Sequence, residues 1–314
     1  MAEPGILVVG SANTDMTVIS DRLPNVGETI SGGQFVTAGG GKGANQAVSA
    51  ARAGARVSMI GKVGKDLFGD EIIERLQKEG INTDSIRVSE ENATGIALIM
   101  VDENGENIIS VAPGANWTLS PDEIVANRAV FENTDVMLTQ LELPIETVAC
   151  ALKEAQEAGL MTILDPAPIP RGGLSMSLLE NVDIVTPNLG EARSVCGLDG
   201  TAGAEDAASK LLQFGPGAVL ITLGSEGVLA RTPEKEFALE AAEADPVDTV
   251  GAGDCFTGVL AVGLAEGKDL LEAAEMAVCA AAIATETEGA EPSLPSRDEI
   301  EQKLKVYKSD HDNQ

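Results

Sequence analysis

Short apolar, β-branched runs alternate with helical stretches along nearly the whole chain, and this alternation constrains the fold more than any other feature. Residues 6–10, 56–63, 136–141, 161–164, 182–185 and 218–223 read as buried strands bounded by turn residues. Between them, 66–79 is amphipathic and stops at Gly80, and 145–158 is helical and stops at Gly159. Strand-helix alternation predicts a doubly wound, mostly parallel α/β sheet flanked by helices, with ligands at the carboxyl ends of the strands. Two stretches break the pattern. Residues 14–35 lack helical periodicity, and 94–111 read as a hairpin around Asn104-Gly105. Their simplest use is a small β-sheet lid, from segments of about 14–36 and 94–112, on one domain spanning 1–308; 309–314 reads as a flexible tail.

Charge narrows the partners. The chain has 50 acidic and 21 basic residues, a formal net charge of −29. Such a surface repels nucleic acid and anionic membranes, so any phosphate must be met by local donors. The excess of carboxylates suits a protein adapted to high salt, with an ordinary acidic enzyme as the plainer reading. Cys150, Cys196, Cys255 and Cys279 are widely spaced, as expected of reduced thiols in a cytoplasmic protein. Met1-Ala-Glu-Pro is unlike a secretory leader, and no apolar run is long enough to span a bilayer. The one histidine, His311, lies in a polar tail, which argues against histidine-based catalysis.

The chemistry concentrates in two glycine-rich turns. Asp248-Thr-Val-Gly-Ala-Gly-Asp254-Cys-Phe-Thr-Gly258 precedes an apolar helix marked by Phe256, Val259, Leu260, Gly263 and Leu264. A helix start behind glycines attracts anions through its unpaired N–H groups. A carboxylate there repels phosphate unless it accepts a proton from an attacking hydroxyl; the plain alternative makes Asp254 the N-cap. Ala38-Gly-Gly-Gly-Lys42-Gly-Ala-Asn45-Gln46-Ala47 is the second such turn. Gly43 follows Lys42 where a P-loop needs Ser or Thr, and Phe256 spoils the only approach to a dinucleotide fingerprint.

Together these turns resemble the two signature regions of the ribokinase family of sugar kinases. Further motifs fall in the family's order: Gly10-Ser-Ala-Asn13-Thr-Asp15, Leu141-Glu142, Thr186-Pro-Asn188-Leu-Gly-Glu191, Ile221-Thr-Leu-Gly224-Ser225-Glu-Gly227 and Gly289-Ala-Glu-Pro-Ser293. The resemblance runs from Ile6 to about Ile300. It implies transfer of phosphate from MgATP to the terminal hydroxyl of ribose, with the lid over the sugar and paired with that of a second subunit as a homodimer.

A polyhydroxylated substrate needs convergent carboxylates and amides, and Asn13, Asp15, Lys42, Asn45 and Glu142 supply them beside glycines. These match ribose contacts in the family, with Gly41 assisting through its backbone, although turn capping is a rival for Asp15 and Asn45. Asp254 is the expected base, with the Gly251, Ala252 and Gly253 N–H groups as the anion hole. For the nucleotide, the resemblance implies Asn188 and Glu191 near magnesium and phosphates, then Thr222, Gly224, Ser225, Gly227 and Gly253. A capping pair and an ordinary hairpin turn are the plain alternatives. Val278 is a candidate wall for adenine, against core packing. Asp248, Val250, Ala284, Thr287, Gly289 and Ser293 align with a potassium site, several of them through carbonyls. Other members phosphorylate fructose, deoxyribose or nucleosides, and a sugar sensor without turnover is the reading from another class.

Overall fold

The computed structural model describes residues 3–311. Thirteen strands run in chain order: β1 (Gly5–Val9), β2 (Asn13–Ile19), β3 (Gln34–Gly40), β4 (Arg56–Gly64), β5 (Asn82–Ser89), β6 (Gly95–Val101), β7 (Asn107–Ala112), β8 (Val136–Thr139), β9 (Met161–Leu164), β10 (Ile184–Val185), β11 (Ala218–Thr222), β12 (Val228–Arg231) and β13 (Glu236–Leu239). Nine form the main sheet in the order β13-β12-β11-β10-β9-β8-β1-β4-β5, and β3-β2-β6-β7 form a separate small sheet. The main sheet is parallel from β5 to β11 and ends in two antiparallel strands.

Alternation along β1 explains the two layers of helices. Ile6 and Val8 pack into one core with the helices Lys42–Arg52, Ala252–Ala265 and Leu270–Ala284. Leu7 and Val9 point the other way, into a core with Ile145–Ala158, Leu189–Cys196 and Ala204–Leu212. A strand buried on both faces is apolar throughout, which is why β1 reads Gly-Ile-Leu-Val-Val. The helix Ala252–Ala265 is buried on nearly every side. It approaches the helix Lys42–Arg52 closely at Gly258, where a Cβ would stand 2.8 Å from the Gln46 carbonyl oxygen and from the Ser49 Cβ.

The lid grows out of the carboxyl end of β1. Its β2 pairs antiparallel with β3 and parallel with β6, joining segments far apart in sequence. Asp66 caps the helix Leu67–Lys78 by accepting from the Gly69 N–H, and also accepts from the Thr94 N–H (2.8 Å) and hydroxyl (2.6 Å) at the base of β6.

Some details differ from expectation. The polar β5 and the antiparallel edge strand β13 were not anticipated; both are edges, where burial imposes little apolar pattern. At Asn104-Gly105 only Gly105 has a positive φ, so the hairpin is not closed by the tight two-residue turn that this pair favours. Instead Asp102 Oδ1 accepts from the Asn104 and Glu106 N–H groups across a longer loop. Residues 309–311, expected as tail, belong to the helix Arg297–His311, and 312–314 lie outside the described residues. Among the described residues no helix is long and apolar enough to cross a membrane.

Candidate active site at two helix starts

Both glycine turns end in helices that start at the carboxyl edge of the sheet. Gly41 is the N-cap of Lys42–Arg52 with φ +87°, and Gly251 that of Ala252–Ala265 with φ +82°. Glycine is needed because these left-handed backbone angles strain any residue with a Cβ. Asp254 is therefore not the N-cap: it is the third residue of its helix, 5% exposed, and its carboxylate faces other side chains.

Those side chains come from the other helix start. Asn45 Nδ2 donates to Asp254 Oδ2 at 3.0 Å, and Gln46 Nε2 to Asp254 Oδ1 at 3.1 Å. Lys42 Nζ lies 3.5 Å from the same Oδ1 and 3.0 Å from Asp165 Oδ2. Gln140 Nε2 donates to Gln46 Oε1 at 2.6 Å, which fixes the direction of the Gln46 amide. Burial works against the Lys42 charge, but Asp165, Asp254 and Glu142 outweigh it and hold the ammonium well above its ordinary range. Buried Asn45 Oδ1 has no hydrogen-bond partner among the described residues.

The remaining sugar-side candidates gather around this pair. Glu142 Oε2 accepts from the Lys42 N–H at 3.0 Å and from the Ser11 hydroxyl. Asn13 Oδ1 accepts from Asn116 Nδ2 at 2.8 Å, which leaves the Asn13 amide N–H groups for a ligand. Burial raises the Asp15 carboxyl to about 6, helped by Glu142 and opposed by Arg75. The structure thus brings Asn13, Asp15, Gly41, Lys42, Asn45, Glu142 and Asp254 to one place, although the Lys42 ammonium is held by two carboxylates.

At the neighbouring strand ends, Asn188 and Glu191 form a reciprocal capping box on the helix Leu189–Cys196, so the plain reading of the pair is realised. Asn188 forms a parallel bridge with Thr222, and the Gly224–Glu226 turn follows, with Gly224 and Gly227 at positive φ. Val278 is buried in the core rather than at a surface slot. In the anion-hole turn, the Ala252 N–H already reaches the Thr249 carbonyl at 3.3 Å; those of Gly251 and Gly253 have no backbone acceptor among the described residues. Asp248 accepts from the Val250 N–H (3.0 Å) and the Gly289 N–H (2.8 Å), tying two loops together, and the Ser293 hydroxyl donates to the Ala290 carbonyl. Ala284 is buried and Thr287 exposed beside them. Cys255, adjacent to Asp254, is fully buried, and burial pushes its thiol up to about 12, which removes it as a reactive group.

Residues 4–297 match the model of the pfkB family carbohydrate kinases. The chain belongs to that family. A ribokinase from Schizosaccharomyces pombe is 38% identical over 317 residues, covering 97% of this chain and 99% of its own length. A deoxyribokinase from Salmonella typhimurium is 34% identical over 303 residues, covering 96% and 99%. The solved structure of Arabidopsis thaliana ribokinase complexed with ribose and ATP is similar with a TM-score of 0.88 at 33% identity, over 96% of this chain and 99% of that one.

Five polar residues gathered here had no place among the sequence-based candidates: Ser11, Gln46, Asn116, Gln140 and Asp165. Ser11 and Gln46 lie inside motifs already singled out, and Asp165 directly follows β9, a position where a carboxylate merits suspicion. Asn116 sits in a short 3-10 turn without any sequence signal.

Asp15 makes a prediction for the carbohydrate kinase without ligand. Its folded carboxyl titrates near about 6 against 3.8 for the free group, so the folded state binds the extra proton between those values. The charged form therefore costs stability increasingly as pH rises through that window, with the full cost above it. Asp15→Asn should raise the melting temperature at pH 8 and leave it nearly unchanged at pH 4, while weakening sugar binding. An equal shift at both pH values would show that the carboxylate is not under this strain.

Proposed function

We propose that the chain is an ATP-dependent kinase that transfers phosphate to the terminal hydroxyl of ribose, giving ribose 5-phosphate and ADP. The observation that carries this reading is the buried Asp254 carboxylate beside a glycine-capped helix start, within a ring of amide and carboxylate groups. A sensor needs no base next to an anion-binding turn. The S. pombe ribokinase and the ribose and ATP complex of the Arabidopsis ribokinase support the substrate pair.

Asn13 N–H groups, Asp15, Glu142 and the unpartnered Asn45 Oδ1 read the ring hydroxyls. The terminal hydroxyl lies against Asp254, which takes its proton as the oxygen attacks the γ-phosphorus; the bond to the bridging oxygen breaks and ADP leaves. Free N–H groups at Gly251 and Gly253 meet the charge spreading onto the transferred group. Thr222, Gly224, Ser225 and Gly227 line the nucleotide's approach. Asn188 and Glu191, fixed by their mutual hydrogen bonds, would hold magnesium through water, and the ion would supply charge neutralisation to the phosphates.

Asp254→Asn keeps the size of the side chain and removes the base. Turnover measured as ribose-dependent ADP release should fall by about 10²–10⁴-fold, while calorimetric ribose affinity changes far less. Near-normal turnover would return Asp254 to a structural role. The wild type should prefer ribose to deoxyribose, since an absent hydroxyl leaves a buried partner unpaired at a cost of about 1–3 kcal/mol. A specificity constant for deoxyribose at or above that for ribose would move the assignment toward the Salmonella enzyme and leave the kinase class intact.

A potassium ion held by Asp248 and by oxygens of Val250, Ala284, Thr287, Gly289 and Ser293 belongs to this reading. The donor set of carbonyls, hydroxyls and one carboxylate suits a hard cation, and Asp248 already links the two loops that would share it. The ion would supply order to the 248–254 turn. Turnover should be higher in potassium than in a large organic cation at matched ionic strength; equal rates would remove the site. Because the net charge of −29 is read as salt adaptation, thermal stability should rise with concentration of either salt.

The lid carries exposed Phe35, Val36, Leu98, Ile108, Ile109 and Val111, apolar surface that a partner lid would cover as a homodimer. Ile109→Asp should convert a dimer measured by sedimentation to monomer, whereas a monomeric wild type would exclude this pairing.

A further inference from the structure

Asp165 has no part in the reaction as derived above, yet it is among the most deeply buried carboxylates of the molecule, 4% exposed at the end of β9. Burying a charge is unfavourable unless it is paired and hydrogen-bonded. Its side-chain donors are Lys42 Nζ and Gln46 Nε2, each at 3.0 Å. The same two nitrogens face Asp254 Oδ1, at 3.5 Å and 3.1 Å. Lys42 and Gln46 are four residues apart on one helix and so project side by side between the two carboxylates. Gln140 holds the Gln46 carbonyl end, so the Gln46 amide cannot turn away.

Resting on the kinase reading, we propose that Asp165 is a positioning residue: it holds the Lys42 ammonium off the base, so that Asp254 keeps a net negative charge with which to accept the hydroxyl proton. One ammonium between two carboxylates leaves one negative charge over, and the shorter contact puts the ammonium on the Asp165 side. Without Asp165, the same ammonium settles on Asp254 and pairs with its charge, leaving a weaker base. The charged groups facing Asp165 are Lys42, Asp254 and Glu191, and Glu142 faces Lys42 from the adjoining strand end.

The test is Asp165→Asn, which keeps the shape of the side chain and one acceptor. Its kcat at neutral pH should fall by about tenfold or more, with ribose affinity by calorimetry changing much less. The acid limb of its kcat profile should move to lower pH, because an ammonium drawn against a carboxylate favours its charged form. In a Lys42→Gln background the loss should vanish: with no ammonium to hold off the base, adding Asp165→Asn lowers kcat no further. An unmoved acid limb, or the same additional loss in the Lys42→Gln background, would overturn the proposal and leave Asp165 a packing residue. Retained ribose binding and a cooperative melt identify a folded variant; for a variant that melts without binding ribose, Asp165→Glu, which keeps the charge, should restore the acid limb of the wild type, and failure to do so overturns it. A wild type without ribose-dependent ADP release would instead remove the kinase reading on which this rests.

Discussion

The contact between the helices Lys42–Arg52 and Ala252–Ala265 sets the position of nearly every charged group in the site. Each helix starts at a glycine whose backbone angle turns the chain sharply off the sheet edge, and each presents its first turns to the other. Gly258 lets them approach until backbone meets side chain, and the Ser49 hydroxyl donates to the Cys255 carbonyl across the seam at 3.1 Å. At that separation Lys42, Asn45 and Gln46 reach Asp254 directly. The packing constraint and the chemistry are therefore one feature: a wider seam would leave the carboxylate buried and without donors, which is costly.

The site is also rich in negative charge for a place that receives a polyphosphate. Glu142, Asp165 and Asp254 face the Lys42 ammonium, and Asp15 stands near Glu142, Asp254 and Arg75. The arrangement is tolerable because amide donors from Asn45 and Gln46 and the Lys42 and Ser11 donors to Glu142 satisfy the oxygens. Under the proposed function it would also separate the two ligands by chemistry. An uncharged polyol suits carboxylates that accept its hydroxyl hydrogens, and phosphates suit the side where backbone N–H groups are free. Opposite preferences on either side of Asp254 would then orient the reactants without a basic surface.

Much of this was legible in the sequence, for local reasons. The central strands are buried on both faces, so β1, β4, β8, β9 and β11 show as apolar runs, and the motifs that follow them fall at the carboxyl edge of the sheet. Edge strands were missed because β5 and β13 need no apolar pattern. The proposed role of Asp254 rests on its sequence neighbours, but its helix position could not be read there, because a helix may begin at a glycine as readily as at an aspartate two or three residues on. Asp165 and Asn116 were invisible for a different reason: their partners lie far away in sequence, Lys42 and Gln46 for one, Ala12 and Asn13 for the other. Nothing in a local window encodes such pairings. Asn188 and Glu191 show the converse limit, where one motif satisfies a helix start and also faces the site.

The parallel pairing of β2 with β6 has a bearing on how the chain comes together during synthesis. Strand β2 leaves the ribosome some eighty positions before the strand it must pair with, and parallel partners of such separation pay the loop-closure entropy before any contact repays it. Until β6 and the Asn116 clamp have emerged, the nascent chain carries Asn13 and Asp15 on a strand that has only β3 to pair with and an open edge on its other side. Asp254 follows later still, after every other strand and polar group of the sugar side has been made. A truncated chain ending before that helix would hold the proposed sugar-facing residues without the carboxylate proposed to give them a reaction to perform.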